Sequence, residues 1–401
     1  MRDHPTDCLD AYDLYLRGNQ FLAAAGSPDF PLAIEYLERA VEADPEFAHA
    51  HAKLSIAHTS MYWFGHDRSQ DRLARAKAAA DRAITLRSEL PLSHLAQGWY
   101  YYWGKRDFDR ALRHFELARA TWPGITDALV LIGGIRRRQG DWDHALVLFA
   151  DAAGSNPACW VCHVEAANTH ILRRDFDAAR RAMSRARYLV PSVEYPRRVA
   201  AFLELADGGD VAAARRLLTP ATNFVDILFA TTARWTRLAR VIAGDLDSLL
   251  LGLDVSELRD PAGYHLARAE LAGRSGDPGL AAAHYESARA LLVELCALRP
   301  EDPDIYSALA IAYAGLGLRN EALHEAAMAL QLRPVSMDAV DGPLGLESLA
   351  RVYTMLGDHD AAIGTLEGLL AIPSTISATM LRLDPVWAPL EGRPEFQALL
   401  R

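Results

Sequence analysis

Residues 106–123 read RDFDRALRHFELARATWP, residues 140–157 read GDWDHALVLFADAAGSNP, and residues 174–191 read RDFDAARRAMSRARYLVP. The three stretches start 34 residues apart and hold one pattern in phase: Ala111, Phe115, Ala118 and Pro123, then Ala145, Phe149, Ala152 and Pro157, then Ala179, Met183, Ala186 and Pro191. Offsets of 4 and 7 set three side chains on one stripe of a helix, and the proline that follows stops it. Alanine at two stripe positions lets a neighbouring helix come close. The polar start of each stretch predicts a turn whose aspartate, Asp107, Asp141 or Asp175, caps the coming helix and suits the positive end of its dipole. Gly357-Asp358-His359-Asp360 predicts the same turn near the end of the chain.

Working outward, the same offsets fit Ala33, Leu37, Ala40 and Pro45, and Ala322, Ala326, Ala329 and Pro334. Looser copies begin at Ala76, Ala281 and Ala362, and Ala213 with Leu217 keeps the phase until Pro220 takes the third stripe position. A second amphipathic helix precedes each stripe, with a small residue about a dozen positions upstream: Gly98, Gly133, Ala167 and Ala310. This unit of two helices, a polar turn and a closing proline resembles the tetratricopeptide repeat. The resemblance runs from about residue 10 to 373. It implies an all-α, right-handed superhelical solenoid of about ten helical hairpins whose first helices line a concave groove. The opening Ala11-Tyr12-Asp13-Leu14-Tyr15-Leu16-Arg17-Gly18 and the closing Leu381-Arg382-Leu383-Asp384-Pro385-Val386-Trp387-Ala388-Pro389-Leu390 are similar to the ends of the repeat module in bacterial signalling proteins. There the module follows a winged-helix regulator, a kinase or a cyclase domain. That likeness implies a stand-alone relative or a separated half of such a protein.

Three regions are expected: residues 10–192 with five repeats, 193–260 with degenerate helical repeats, and 261–401 with further repeats and a capping helix from Pro394 to Arg401. The first repeat carries an insertion at Gly26 to Pro31 and the second one at Phe64 to Asp71. With 51% hydrophobic and 23% charged residues, the 401-residue chain can bury a large core. A formal charge of −10 argues against generic binding to nucleic acid. Residues 136–240 are net positive, with 16 basic against 11 acidic side chains, which fits either an acidic ligand or the chain's heavy use of arginine. No apolar run reaches the roughly 18 residues of a membrane span, no secretory pattern opens the chain, and four cysteines make no disulfide framework. A cytoplasmic protein without membrane contact is the expectation.

Phosphate-loop, metalloprotease, nucleophile-elbow and kinase strings are missing, so the expectation is a non-enzyme without cofactor or metal. Scattered histidines such as His49 and His51, or His163 and His170, fit half-exposed helix positions better than a metal site. Cys159-Trp160-Val161-Cys162-His163 matches the C-x-x-C-H attachment string of c-type haem, yet it also opens a first helix, where plain packing or a redox or metal use of Cys159, Cys162 and His163 are the alternatives. Five consecutive aromatics, Trp99 to Trp103, exceed what one repeat core needs. An uninterrupted helix turns Trp99, Tyr102 and Trp103 toward the groove and Tyr101 inward, although packing against the Phe64 to Asp71 insertion would serve equally. The same frame adds Tyr15, Asn19, His49, Arg137, Arg138, Asn168, Arg198 and Phe202 to the groove. Asparagine can hold an extended main chain and arginine can grip a carboxylate. Of the Lys and Asn set with which some such domains clamp a chaperone's C-terminal carboxylate, Asn19 alone fits. The expected function is a scaffold binding a peptide or protein in the groove. The alternative is a sensor with a small-molecule pocket in the irregular Asp207 to Pro261 segment, acting on a separate kinase, cyclase or transcription regulator.

Overall fold

A computed structural model describes residues 5–23, 29–218, 241, 250, 252–255, 258 and 260–401. All regular structure among them is helical. The helices pair in sequence as hairpins: α1 (Leu9–Leu22) with α2 (Phe30–Ala43), α3 (Ala48–Trp63) with α4 (Gln70–Leu86), α5 (Pro91–Trp99) with α6 (Phe108–Thr121), α7 (Thr126–Arg138) with α8 (Trp142–Ser155), α9 (Trp160–Leu172) with α10 (Phe176–Leu189), and α11 (Glu194–Asp207) with α12 (Val211–Leu217). Beyond residue 260 come α13 (Pro261–Arg274) with α14 (Pro278–Leu298), α15 (Pro303–Gly315) with α16 (Arg319–Leu332), and α17 (Gly342–Met355) with α18 (His359–Ala371). Short helices α19 (Ala378–Leu383) and α20 (Pro394–Leu399) flank a 3₁₀ segment, Pro385–Leu390. The insertion at Gly26 to Pro31 and the degenerate stretch up to residue 260 lie partly outside the described residues.

The alanine stripes form the core. Ala111, Phe115 and Ala118 are fully buried, as are Ala145 and Ala152, with Phe149 at 1% exposure. Burying each phenylalanine contributes about 1.5–3 kcal/mol. The small residue on the preceding helix is what admits the ring: a Cβ on Gly98 would lie 2.3 Å from the Phe115 ring, and one on Gly133 2.6 Å from Phe149. Asp107, Asp141 and Asp175 accept from the backbone N–H three residues on, at 3.0, 3.4 and 3.2 Å, and so cap the second helices. Asp358 does not. Its carboxylate pairs with Arg319 at 2.6 Å and α18 starts without a side-chain cap.

Two sequence registers need correction. In the sixth hairpin Ala214 and Leu218 are buried, whereas Ala213 and Leu217 are half-buried. Asp210 caps α12 through the N–H of Ala213, four residues before Ala214, the spacing seen from Asp107 to Ala111. The Gly208-Gly209 turn shifts the phase by one residue. In the third hairpin Gly98 stands 13 residues before Ala111, against 12 from Gly133 to Ala145. The extra residue is absorbed as a π-helical turn, Tyr100–Gly104, which rotates the aromatic run.

The chain divides into two compact units. The first comprises Met1–Arg136, Asp141–Ala166 and Ser184–Pro196, and the second Arg137–Gly140, Ala167–Met183 and Arg197–Arg401. The second is therefore assembled from segments far apart in sequence. Within it the Arg138 carbonyl accepts from the N–H of Ala339 at 2.7 Å, and Leu172 from that of Ser374 at 2.9 Å. Ser377 and Thr379 donate to the carbonyls of Ala206 and Asp207. Trp387, Leu390 and Phe396 close the last apolar face against Leu366 and Leu369.

Candidate functional site

In the first unit residues expected at the groove on α1 and α3 meet. Tyr15 and Asn19 lie one turn apart on α1, and the Asn19 Oδ1 is buried with no hydrogen-bond donor among the described residues. The Tyr15 ring lies 5.0 Å from that of Phe47 and 6.4 Å from that of His49. Burial pushes the Tyr15 phenol above its ordinary range. One turn beyond His49 on the same helix is Lys53, a position sequence reasoning passed over. Its place four residues after His49 was the available signal. Lys53 is half-buried, and among the described residues it makes no hydrogen bond or ion pair. Burial pushes its ammonium below the ordinary lysine range, and the exposed carboxylate of Asp127 on α7 pulls it back.

A second aromatic group covers the start of the π turn. The Trp63 and Trp103 rings stack at 5.3 Å, Trp99 meets Trp103 edge-on at 5.5 Å, and Phe64 from the insertion meets Trp103 at 5.7 Å. Arg106 lies over Trp63 at 5.2 Å. Trp99 and Trp103 stay half-buried, but Tyr102 turns inward to 5% exposure and Tyr101 is half-buried, a reversal of the expected order that follows from the π turn. The Trp99 indole Nε1 is buried with no acceptor among the described residues.

Arg137, Arg138, Asn168, Arg198 and Phe202 fall in the second unit, and most of them face inward. Phe202 is fully buried, Asn168 is 5% exposed, and Arg198 is half-buried. Arg137 donates to the Thr169 hydroxyl at 3.2 Å. Arg138, 7% exposed, donates to Asp338 at 2.6 Å and to Asp341 at 2.8 Å. Arg138 thus holds distant segments of its own chain together, because a guanidinium this deep needs counter-charges at hand.

The cysteine string carries a disulfide between Cys159 and Cys162. His163 beside it is half-buried, and burial together with Arg185 holds its imidazole below the ordinary range. His51 lies 3.1 Å from the Pro45 carbonyl and His170 3.2 Å from Asp175. Sequence spacing missed two imidazole pairs formed across hairpins, His94 with His114 at 3.3 Å and His265 with His284 at 2.9 Å. Residues 19 or 20 apart meet only once the hairpin has folded. Among the described residues no three His, Cys, Asp or Glu side chains converge as a metal site, and no helix is long and apolar enough to cross a membrane. Most of the segment from Asp207 to Pro261, on which the sensor alternative rested, lies outside the described residues.

Family models described as tetratricopeptide repeat match residues 100–158 and 346–376. No curated protein matches the chain. Similar solved structures include YrrB, a TPR protein with an unusual peptide-binding site, at 18% identity over 46% of this chain and 88% of that one, with a TM-score of 0.28. Pseudomonas aeruginosa pilF is similar at 15% identity over 52% and 88%, with a TM-score of 0.38. A monomeric IFIT1 mutant with m7Gppp-AAAA is similar at 16% identity over 80% and 71%, with a TM-score of 0.48.

Proposed function

We propose that the chain is a non-enzymatic scaffold that holds an extended peptide segment of a protein partner against the first helices of its N-terminal repeats. Tetratricopeptide repeats generally mediate protein or peptide interactions, and two stretches of this chain match them. The observation that carries the reading is Lys53, a half-buried ammonium with no hydrogen bond or ion pair among the described residues. Such a cation gains from a carboxylate brought by a ligand, since partial burial strengthens the pair. The rings of Tyr15, His49, Trp99 and Trp103 add apolar area at low entropic cost. The partner segment is therefore acidic and extended.

An array of extended peptides, acidic, neutral and basic, tests this. The intact chain should retain the acidic set, with retention falling as salt rises. Lys53→Glu should weaken retention by at least about tenfold while the helical signal and melting temperature stay within error. Indifference to charge, or equal retention by Lys53→Glu, would reject the site.

A further inference from the structure

We propose that Cys159 and Cys162 form a thiol–disulfide exchange site that reacts with external thiols and disulfides through Cys159. Several observations converge. The disulfide closes a loop with only two residues between its ends and a Cα to Cα distance of 5.5 Å, running from the residue before α9 into its first turn. It therefore ties no two elements together. The entropy it removes from the unfolded chain is at the low end for such bonds.

The two sulfurs differ in environment. Cys162 is 1% exposed and belongs to the core cluster with Leu129, Ile132 and Leu148. Cys159 packs against the same cluster but is only half-buried and follows the exposed run from Gly154 to Ala158, so it is the more accessible of the two. The Cys162 N–H donates to Cys159 Sγ at 3.2 Å, and the unsatisfied end of α9 adds its positive potential. Both favour a thiolate at Cys159 when the bond is open. Packing does not demand the pair. One repeat earlier and one later, the position of Cys159 is held by Ile125 and Val193, and that of Cys162 one repeat earlier by Ala128, all buried.

A thiolate RS⁻ attacks Cys159 Sγ, the bond between the two cysteines breaks, and Cys162 leaves as a thiolate that takes up a proton. A second RS⁻ attacks the external sulfur of the mixed disulfide. It releases RSSR and the Cys159 thiolate. Two electrons pass from two RSH to the protein; one of their protons ends on Cys162, and the other stays in solvent while Cys159 remains a thiolate. Run backward, Cys159 attacks RSSR and Cys162 resolves the mixed disulfide.

The test places the full chain in glutathione buffers of graded ratio, traps thiols by alkylation, and scores each cysteine by peptide mass. The 159–162 pair should interconvert, and Cys159 should react at least about tenfold faster than Cys8 or Cys296. Cys162→Ala should accumulate glutathione at Cys159. Cys159→Val, which copies Val193, should keep the melting temperature and leave Cys162 unmodified. A short cysteine-containing peptide in place of glutathione shows whether a peptide thiol exchanges faster than the small molecule, and exchange with either supports the proposal. A pair that stays dithiol at every ratio, or a Cys162 that reacts as fast in Cys159→Val as Cys159 does in the native chain, would overturn it.

Discussion

Arg72 donates to His58 Nδ1 at 2.8 Å and to Asp67 at 2.9 Å, so the imidazole nitrogen must stay unprotonated to accept. Burial, with the charges of Arg72 and Arg75, holds His58 at about 4, against an ordinary 6.5. Between these values the unfolded chain binds the extra proton and the folded one does not. The stabilisation from a neutral His58 is whole above pH 6.5, declines as pH falls, and is lost below about 4. It amounts to about 3 kcal/mol. Thermal melts should therefore fall steeply from pH 6.5 to 4, and His58→Gln, which keeps an acceptor but cannot titrate, should flatten that slope. Little of this was legible beforehand: His58 sits 14 residues from Arg72, and only the fold of α3 on α4 brings them together. Lys53 teaches the same lesson, since a lysine on a helix face is ordinary until its surroundings are known.

At the scale of the element, the repeat works by letting an aromatic ring of the second helix enter a notch in the first. Gly133→Ala should cost about 1–3 kcal/mol by overpacking against Phe149, measured by denaturant unfolding. A neutral result would mean that the ring can step aside. Asp107→Ala should cost about 0.5–2 kcal/mol through the lost cap of α6, whereas Asp358→Ala should act only through its surface pair with Arg319. The stripes were legible because close approach of two helices restricts which residues fit. The orientation of Trp99 to Trp103 was not. A one-residue insertion can be absorbed in a loop or in a π turn, and packing of Tyr102 against Phe108 and Trp63 selects the latter here.

Over the whole molecule, contacts in the second unit join residues about 200 positions apart. Arg174 takes a positive φ of 60° in the turn where other hairpins place Gly140 or Gly357. From there it donates to the carbonyls of Leu369, Ile372 and Ile376 and to the Ser374 hydroxyl. Arg138→Ala should destabilise this unit by about 3–5 kcal/mol, because Asp338 at 1% exposure would lose the guanidinium that hydrogen-bonds it. An unchanged melt of the second unit would show that water replaces the guanidinium. Deleting residues 385–401 should uncover the Leu366 and Leu369 face and promote aggregation.

The amino-acid order by itself determined the helical hairpins, because a 34-residue period of alanine, a large apolar residue and proline admits few other ways to bury its stripe. Most of the groove residues were chosen by that same period, which locates a position on a helix and says nothing of what faces it. Whether an arginine there meets a ligand or Asp338, or a cysteine pair opens a helix as packing or as a disulfide, was decided only by the tertiary structure. The reason is physical: charge pairing and burial depend on segments distant in the chain, and a local repeat carries no record of them.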